Sequence, residues 1–236
     1  AAWLKDDVAS YSGNCHYKET YVPDTAFEQA LIDFGFDYTN AGPLDGYVPT
    51  ARINQVSILN IRDRDIEDLT GIEDFDALTS LNCSDNLLTS LDITENSNLR
   101  ILNCSGNQLS NLDISFNSAL VDFNVSKNQL TQLNVDQIAG LIKLDASRNQ
   151  LTTLNIISNI DLIEVRATQN MLITVDANNG FNDSIAVFDL RNNPNLTCIL
   201  VDDIAAANSY SGWFKDEQSA YKLQCNEDDN DGVPDE

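Results

Sequence analysis

Basic side chains are scarce in this chain. Lys and Arg number 13 against 37 Asp and Glu, which leaves a net charge of −24 at pH 7. Such a surface excludes nucleic acid as a partner, because phosphate contacts are made by Lys and Arg. It disfavours an anionic membrane surface for the same reason. Histidine is scarcer still: the one copy, His16, stands outside the repetitive part of the sequence. No Ser–His or Cys–His nucleophilic pair can be assembled within the repeats. Carboxylates are plentiful, but open faces of Ser and Asn enclose no pocket that would raise an acid's pKa for glycoside chemistry. The expectation is a protein that is not an enzyme and has no catalytic residue. No apolar run approaches the roughly 20 residues that span a bilayer, so no membrane insertion is expected. The chain starts at Ala1 and stops inside DDNDGVPDE. That is expected of a processed chain or a piece of a longer protein.

What is abundant is repetition. LTSLNCSDNLL (78–88) returns as LRILNCSGNQL (99–109), shifted by 21 residues. Stepping by 21 from Leu81 reaches Leu102, Phe123, Leu144 and Val165, all apolar. Two residues on stand Cys83, Cys104, Val125, Ala146 and Ala167; five on stand Asn86, Asn107, Asn128, Asn149 and Asn170. The register extends back to Leu59 and forward to Phe188. A fixed period of this length means a solenoid, in which no coil buries its own apolar side and stacking makes the core continuous. Leu81 and Cys83 have the period-2 spacing of a strand and point inward. A column of Asn amides ties the turns of neighbouring coils. Cys83 and Cys104 read as small packing hydrophobes in that inward ladder, since an apolar column without His discourages a thiolate or a metal.

The pattern LxxLxLxxNxL resembles the leucine-rich-repeat signature, over about residues 59–200. The half-motifs LTSLDITEN (88–96) and LSNLDISFN (109–117) are similar to the short-coil bacterial class, and the strand cysteines resemble those of internalin-like surface proteins. The resemblance implies short parallel β-strands with mostly irregular return segments, a helical cap before the repeats and a cap after them. VPDTAFEQALIDFGFD (22–37) reads as the capping helix, with Asp24 as N-cap and Phe27, Leu31 and Phe34 on one face. Cys198 and Cys225 bracket a segment with Trp213 and Phe214, which looks like a disulfide-closed C-terminal cap; two free thiols are the alternative. Cys15 is then the odd one out. The resulting division is 1–58 for the N-terminal segment and helical cap, 59–200 for the repeats, 201–225 for the C-terminal cap and 226–236 for an acidic tail. In that tail Glu227, Asp229, Asp231 and Asp235, with Gly232 at the bend, resemble the start of a thrombospondin type 3 calcium motif. The chain ends before the closing ligand, so a calcium set and a solvated acidic linker are both open.

Between the inward residues the strand presents a second column. It changes from Asn82, Asn103 and Asn124 to Asp145, Arg166 and Asp189, with Lys143, Glu164 and Arg191 beside it. Irregularity within a regular scaffold marks this stretch as the candidate ligand-binding face. The resemblance implies a secreted or surface-exposed bacterial module, monomeric, binding a protein partner at a cell surface through that face. Polysaccharide binding is the alternative, weakened because the face lacks aromatic platforms for sugar rings. A spacer within a larger protein is a third reading.

Overall fold

Each apolar pair of the repeat folds as one short strand. In the computed structural model, which describes residues 18–37 and 44–225, the chain opens with β1 (Glu19–Tyr21), helix α1 (Thr25–Asp33), β2 (Tyr47–Pro49) and the short helix α2 (Thr50–Ile53). The front strands β3 (Ile58–Asn60), β4 (Ser80–Asn82), β5 (Ile101–Asn103), β6 (Asp122–Asn124) and β7 (Lys143–Asp145) follow, one per coil. From there the coils carry a strand on the return side as well. β8 (Thr153–Asn155), β10 (Thr174–Asp176), β12 (Cys198–Leu200) and β14 (Ala220–Lys222) lie on the return. They alternate with β9 (Glu164–Arg166), β11 (Val187–Asp189) and β13 (Trp213–Phe214) on the front. Helix α3 (Ile204–Ser209) connects β12 to β13.

The front strands form an eight-stranded sheet in the order β3-β4-β5-β6-β7-β9-β11-β13, and the return strands a four-stranded sheet, β8-β10-β12-β14. Every pairing within them is parallel. The register sets Leu81, Leu102, Phe123, Leu144, Val165 and Phe188 opposite one another. All six are buried in one continuous core. The expected architecture, a solenoid of short parallel strands, is therefore the observed one. The irregular return holds for the first coils only. At the first position of the return strand, Ser90, Asn111 and Gln132 of the early coils give way to Thr153 and Thr174. β-branched residues suit an extended, half-buried backbone, so the second sheet begins where that position becomes Thr.

The N-terminal end of the core is covered by α1 and the antiparallel β1–β2 pair. Asp24 starts the helix as expected: its Oδ1 accepts the N–H groups of Ala26 and Phe27 at 2.9 and 2.8 Å. Its Oδ2 does a second job, accepting from Glu67 and Asp68 in the turn after β3 at 2.7 and 2.9 Å. One carboxylate thus caps the helix and fastens it to the first coil. Asp24→Ala is expected to cost about 2 kcal/mol, the upper end of a cap deletion, because both roles are lost; urea denaturation checks it. The helix is shorter than its sequence pattern. Phe27 and Leu31 are fully buried. Phe34 is the C-cap residue and is exposed, with the Arg64 guanidinium 5.2 Å from its ring.

At the other end Trp213 closes the core against Phe188, Tyr210 and Tyr221, with ring centroids 4.7, 5.0 and 5.8 Å away. Its indole N–H donates to the Ile185 carbonyl at 2.8 Å. Cys198 and Cys225 are joined in a disulfide with Cα atoms 5.9 Å apart, which ties β12 to the residues after β14. No helix among the described residues is long and apolar enough to cross a membrane.

Candidate recognition face

The inward columns are settled by burial. Cys83 and Cys104 are fully buried and unpaired. Burial pushes the Cys83 thiol up to about 12 and Cys104 well above its ordinary value. Neither supplies a thiolate at physiological pH. Asn86, Asn107, Asn128, Asn149, Asn170 and Asn193 line the turns after front strands β4, β5, β6, β7, β9 and β11. Asn128 is typical. Its Nδ2 donates to the carbonyls of Cys104 in the preceding coil and Val125 in its own, both at 3.0 Å. Its Oδ1 accepts from Leu109 at 3.0 Å. A second amide column on the return turn, Asn96, Asn117 and Asn159, donates backward in the same way but leaves each Oδ1 without a partner. Ile138 replaces Asn there in one coil.

The outward column divides in two. Asn103 and Asn124, the last residues of β5 and β6, turn their Oδ1 onto the N–H of Ser105 at 3.1 Å and Ser126 at 3.0 Å, and onto the hydroxyls of the same serines at 2.7 Å. These are Asx turns, in which the side chain mimics a backbone turn. Asp145 repeats the backbone half of the arrangement with Ser147 at 3.0 Å. Asp189 accepts from the Arg191 N–H at 3.2 Å. The serines are inside the turn as well: Ser84, Ser126 and Ser147 are buried, so this column offers few free hydroxyls to a ligand.

Arg166 breaks the pattern. It has no turn-forming side-chain oxygen, and the Thr168 N–H is met instead by Ser147 Oγ of the preceding coil at 3.2 Å. The guanidinium pairs with Glu164 across the strand. One coil on, Arg191 grips Asp189 through Nε and Nη2 at 2.9 and 2.6 Å, while its guanidinium lies 4.7 Å from the Phe214 ring centroid. Burial alone would push the Asp189 carboxyl up, but the Arg191 hydrogen bonds and charge outweigh it and hold the carboxyl below its ordinary value. Lys143 begins β7 and is exposed. The structure therefore brings Lys143, Asp145, Glu164, Arg166, Asp189 and Arg191 to one stretch of sheet, with Asn103 and Asn124 on the earlier stretch.

Two recesses mark the front. One of about 360 Å³ lies over β3 to β6 and is lined by Asn60, Asn82, Asn103, Asp122 and Asn124 among others. A second, of about 460 Å³, is lined by Arg148, Thr168, Gln169, Asp189, Arg191, Asn192 and Asp216. Arg148 was not among the residues singled out by sequence. It belongs to a column with positive φ in every coil: Asp85 at 54°, Gly106 at 68°, Lys127 at 55°, Arg148 at 57°, Gln169 at 57° and Asn192 at 62°. The left-handed backbone aims each N–H at the next coil, as from Lys127 to the Ser147 carbonyl at 2.9 Å and from Arg148 to Thr168 at 2.7 Å. Gly, Asn and Asp tolerate this conformation; other side chains lose about 1–2 kcal/mol to it.

Among the described residues, Glu28, Asp37 and Asp45 on the N-terminal cap are the three carboxylates whose oxygens come within 4.8 Å of one another. Burial raises the Glu28 carboxyl, against the backbone N–H groups of Gly46 and Asp45, and Gly46 donates to Glu28 Oε1 at 2.9 Å. The Gly46 bond fastens the residue before β2 to α1. Glu227, Asp229, Asp231 and Asp235, together with Cys15 and His16, lie outside the described residues.

The stacked parallel strands, the buried Asn ladder and the 21-residue step decide the fold. The chain has the leucine-rich-repeat fold. Solved leucine-rich-repeat structures superpose on it. The functional domain of InlJ from Listeria monocytogenes, described as including a cysteine ladder, matches with a TM-score of 0.64 and 23% identity over 89% of this chain and 49% of its own. Internalin C2 from Listeria monocytogenes matches with a TM-score of 0.50 and 19% identity over 84% of this chain and 97% of its own. A leucine-rich-repeat protein of Leptospira interrogans gives 0.50 and 19% over 65% of this chain and 50% of its own. The chain thus spans about half the length of the InlJ domain. No protein-family model and no curated protein matches it.

Proposed function

We propose that this leucine-rich-repeat module is a non-catalytic recognition unit that binds a protein partner through the front strands from β7 to β11. The observation that carries the reading is Arg166. Its column otherwise serves the scaffold, each Asn or Asp closing its own turn. At Arg166 the turn gives up that bond, recruits Ser147 instead, and presents a guanidinium to solvent. A scaffold-only role gives no reason for the exchange. The disulfide supports an extracellular setting, where such bonds persist. A surface that faces other cells is consistent with both features.

Arg166→Asn tests the assignment without damaging the coil. Asn restores the local turn, so Tm is expected to stay level or rise. Binding of a protein captured from an array of cell-surface proteins is expected to weaken about tenfold or more. A capture that the variant leaves unchanged places the partner elsewhere. A saturable hit confined to arrayed polysaccharides would replace the protein reading with a carbohydrate one.

A further inference from the structure

Across the span from Lys127 to Arg191 the solenoid is electrically polarised. Its basic residues are Lys127, Lys143, Arg148, Arg166 and Arg191, and every one lies on a front strand or in the turn directly after it. The acidic residues of the same span divide: Asp145, Glu164 and Asp189 share the front, Asp176 lies on return strand β10, and Asp136, Asp161 and Asp183 lie in the turns that lead from the return side back to the front. Within this span the front carries five basic against three acidic residues, with Asp122 on β6 and Asp216 after β13 at its borders, in a chain of net charge −24. Packed sheets stand about 10 Å apart, and the Debye length at 0.15 M salt is about 8 Å. Asp176 is therefore largely screened from a ligand at the front.

Within this patch Arg166 and Arg191 are held by Glu164 and Asp189. Lys127, Lys143 and Arg148 carry no ion pair among the described residues, and all three are exposed. Lys127 and Arg148 also occupy left-handed backbone positions. The same column uses Gly106 one coil earlier, where a Cβ would run into the Asp85 carboxylate. Long basic side chains at successive left-handed positions are strained choices that the scaffold does not need, and strain of this kind collects where a surface has another task.

We infer that Lys127 and Arg148 form an anion-receiving strip that takes the carboxylates of an acidic segment of a protein partner, with the recess between Arg148 and Arg191 as the seat of one carboxylate; this rests on the front face being the protein-recognition surface. Arg148 offers an unengaged planar fork for bidentate carboxylate binding; Thr168, Gln169 and Asn192 line the same recess, and so do Asp189 and Asp216, whose carboxylates are already taken up by Arg191 and by the Asn192 and Asn193 N–H groups. Ile142 and Ile163, both exposed at the strand entrances beside Lys143 and Glu164, supply apolar contacts that suit aliphatic side chains between the acidic ones. A sugar polymer is a poorer fit, because the exposed aromatic at this end, Phe214, already has the Arg191 guanidinium over its ring.

The test uses fluorescein-labelled poly-L-glutamate as probe, read by anisotropy with the whole chain at physiological salt, alongside the paired variant Lys127→Gly and Arg148→Gly. The expected result is saturable binding that the variant weakens about tenfold or more, together with a higher Tm, since glycine relieves both left-handed positions. The pair Lys127→Gln and Arg148→Gln keeps the backbone and most of the stem, and it must weaken binding as well. Absent binding, or binding unchanged in both pairs, overturns the inference. Polygalacturonate binding as tightly through the same two residues would overturn the assignment to a protein segment. A captured protein that needs Arg166 but not Lys127 or Arg148 would overturn the strip and leave protein recognition standing. Loss of dependence on all three would remove both.

Discussion

Replacing Asn128 with Ala is expected to lower the stability of the solenoid by about 3–4 kcal/mol, as the loss of a single buried amide. The amide donates two short hydrogen bonds, to the Cys104 and Val125 carbonyls, and a longer one to Ser126 at 3.3 Å, and accepts one from Leu109. The two carbonyls would keep one amide donor each, Asn107 on Cys104 and Asn149 on Val125. The Leu109 N–H would be left buried with nothing to meet it, which by itself costs about 1–3 kcal/mol, and the two lost bonds add about 1 kcal/mol each. Asn117→Ala gives the internal comparison. Its amide also donates twice, but its Oδ1 is already a buried acceptor without a partner. Removing that orphan offsets part of the loss, so the expected cost is only about 1 kcal/mol. Ile138 standing in the next coil of that column agrees with this ranking. Urea denaturation of both variants, with m unchanged, reads the difference. Equal costs would mean that the two Asn columns are held in the same way, against their hydrogen-bond geometry.

Opening the Cys198–Cys225 bridge is expected to cost about 3–4 kcal/mol, from the freedom that a chain closed over a sequence separation of 27 regains when unfolded. The effect is expected to be local. Stacked coils contact their neighbours alone, so stability is close to a sum of coil and interface contributions. Hydrogen exchange after reduction, or in Cys198→Ser with Cys225→Ser, is expected to quicken over β12, β13 and β14 and around Trp213. β4 to β7 are expected to keep their protection. Uniform loss along the chain would instead show one cooperative unit from cap to cap.

The columns were legible in the sequence because a solenoid repeats its environment. Leu81, Cys83 and Asn86 each recur after 21 residues in the same surroundings, so position alone identifies inward strand residues and the tying amide. The disulfide was legible only through the resemblance to capped, exported repeat proteins, with two free thiols as the alternative. The outward column was legible as a place but not as a role. Asn103 and Asn124 look like ligand-facing amides, and their engagement in Asx turns depends on backbone geometry that no spacing reports. Arg148 went unread for a related reason, since a left-handed φ under an Arg contradicts local preference and becomes visible only in coordinates. The return sheet had a signal in the change from Ser90, Asn111 and Gln132 to Thr153 and Thr174. So did the second amide column, in the spacing of Asn96 and Asn117. The short α1 had a signal too, in Gly35 just past Phe34, where φ reaches 76°.

The most direct test of the account is a hydrogen-exchange footprint of the chain with and without a captured protein partner. Protection is expected over β7, β9 and β11 and the turns holding Lys127, Arg148 and Arg191, with β8, β10 and β12 on the return unchanged. Protection confined to the return sheet or to the terminal caps would contradict it.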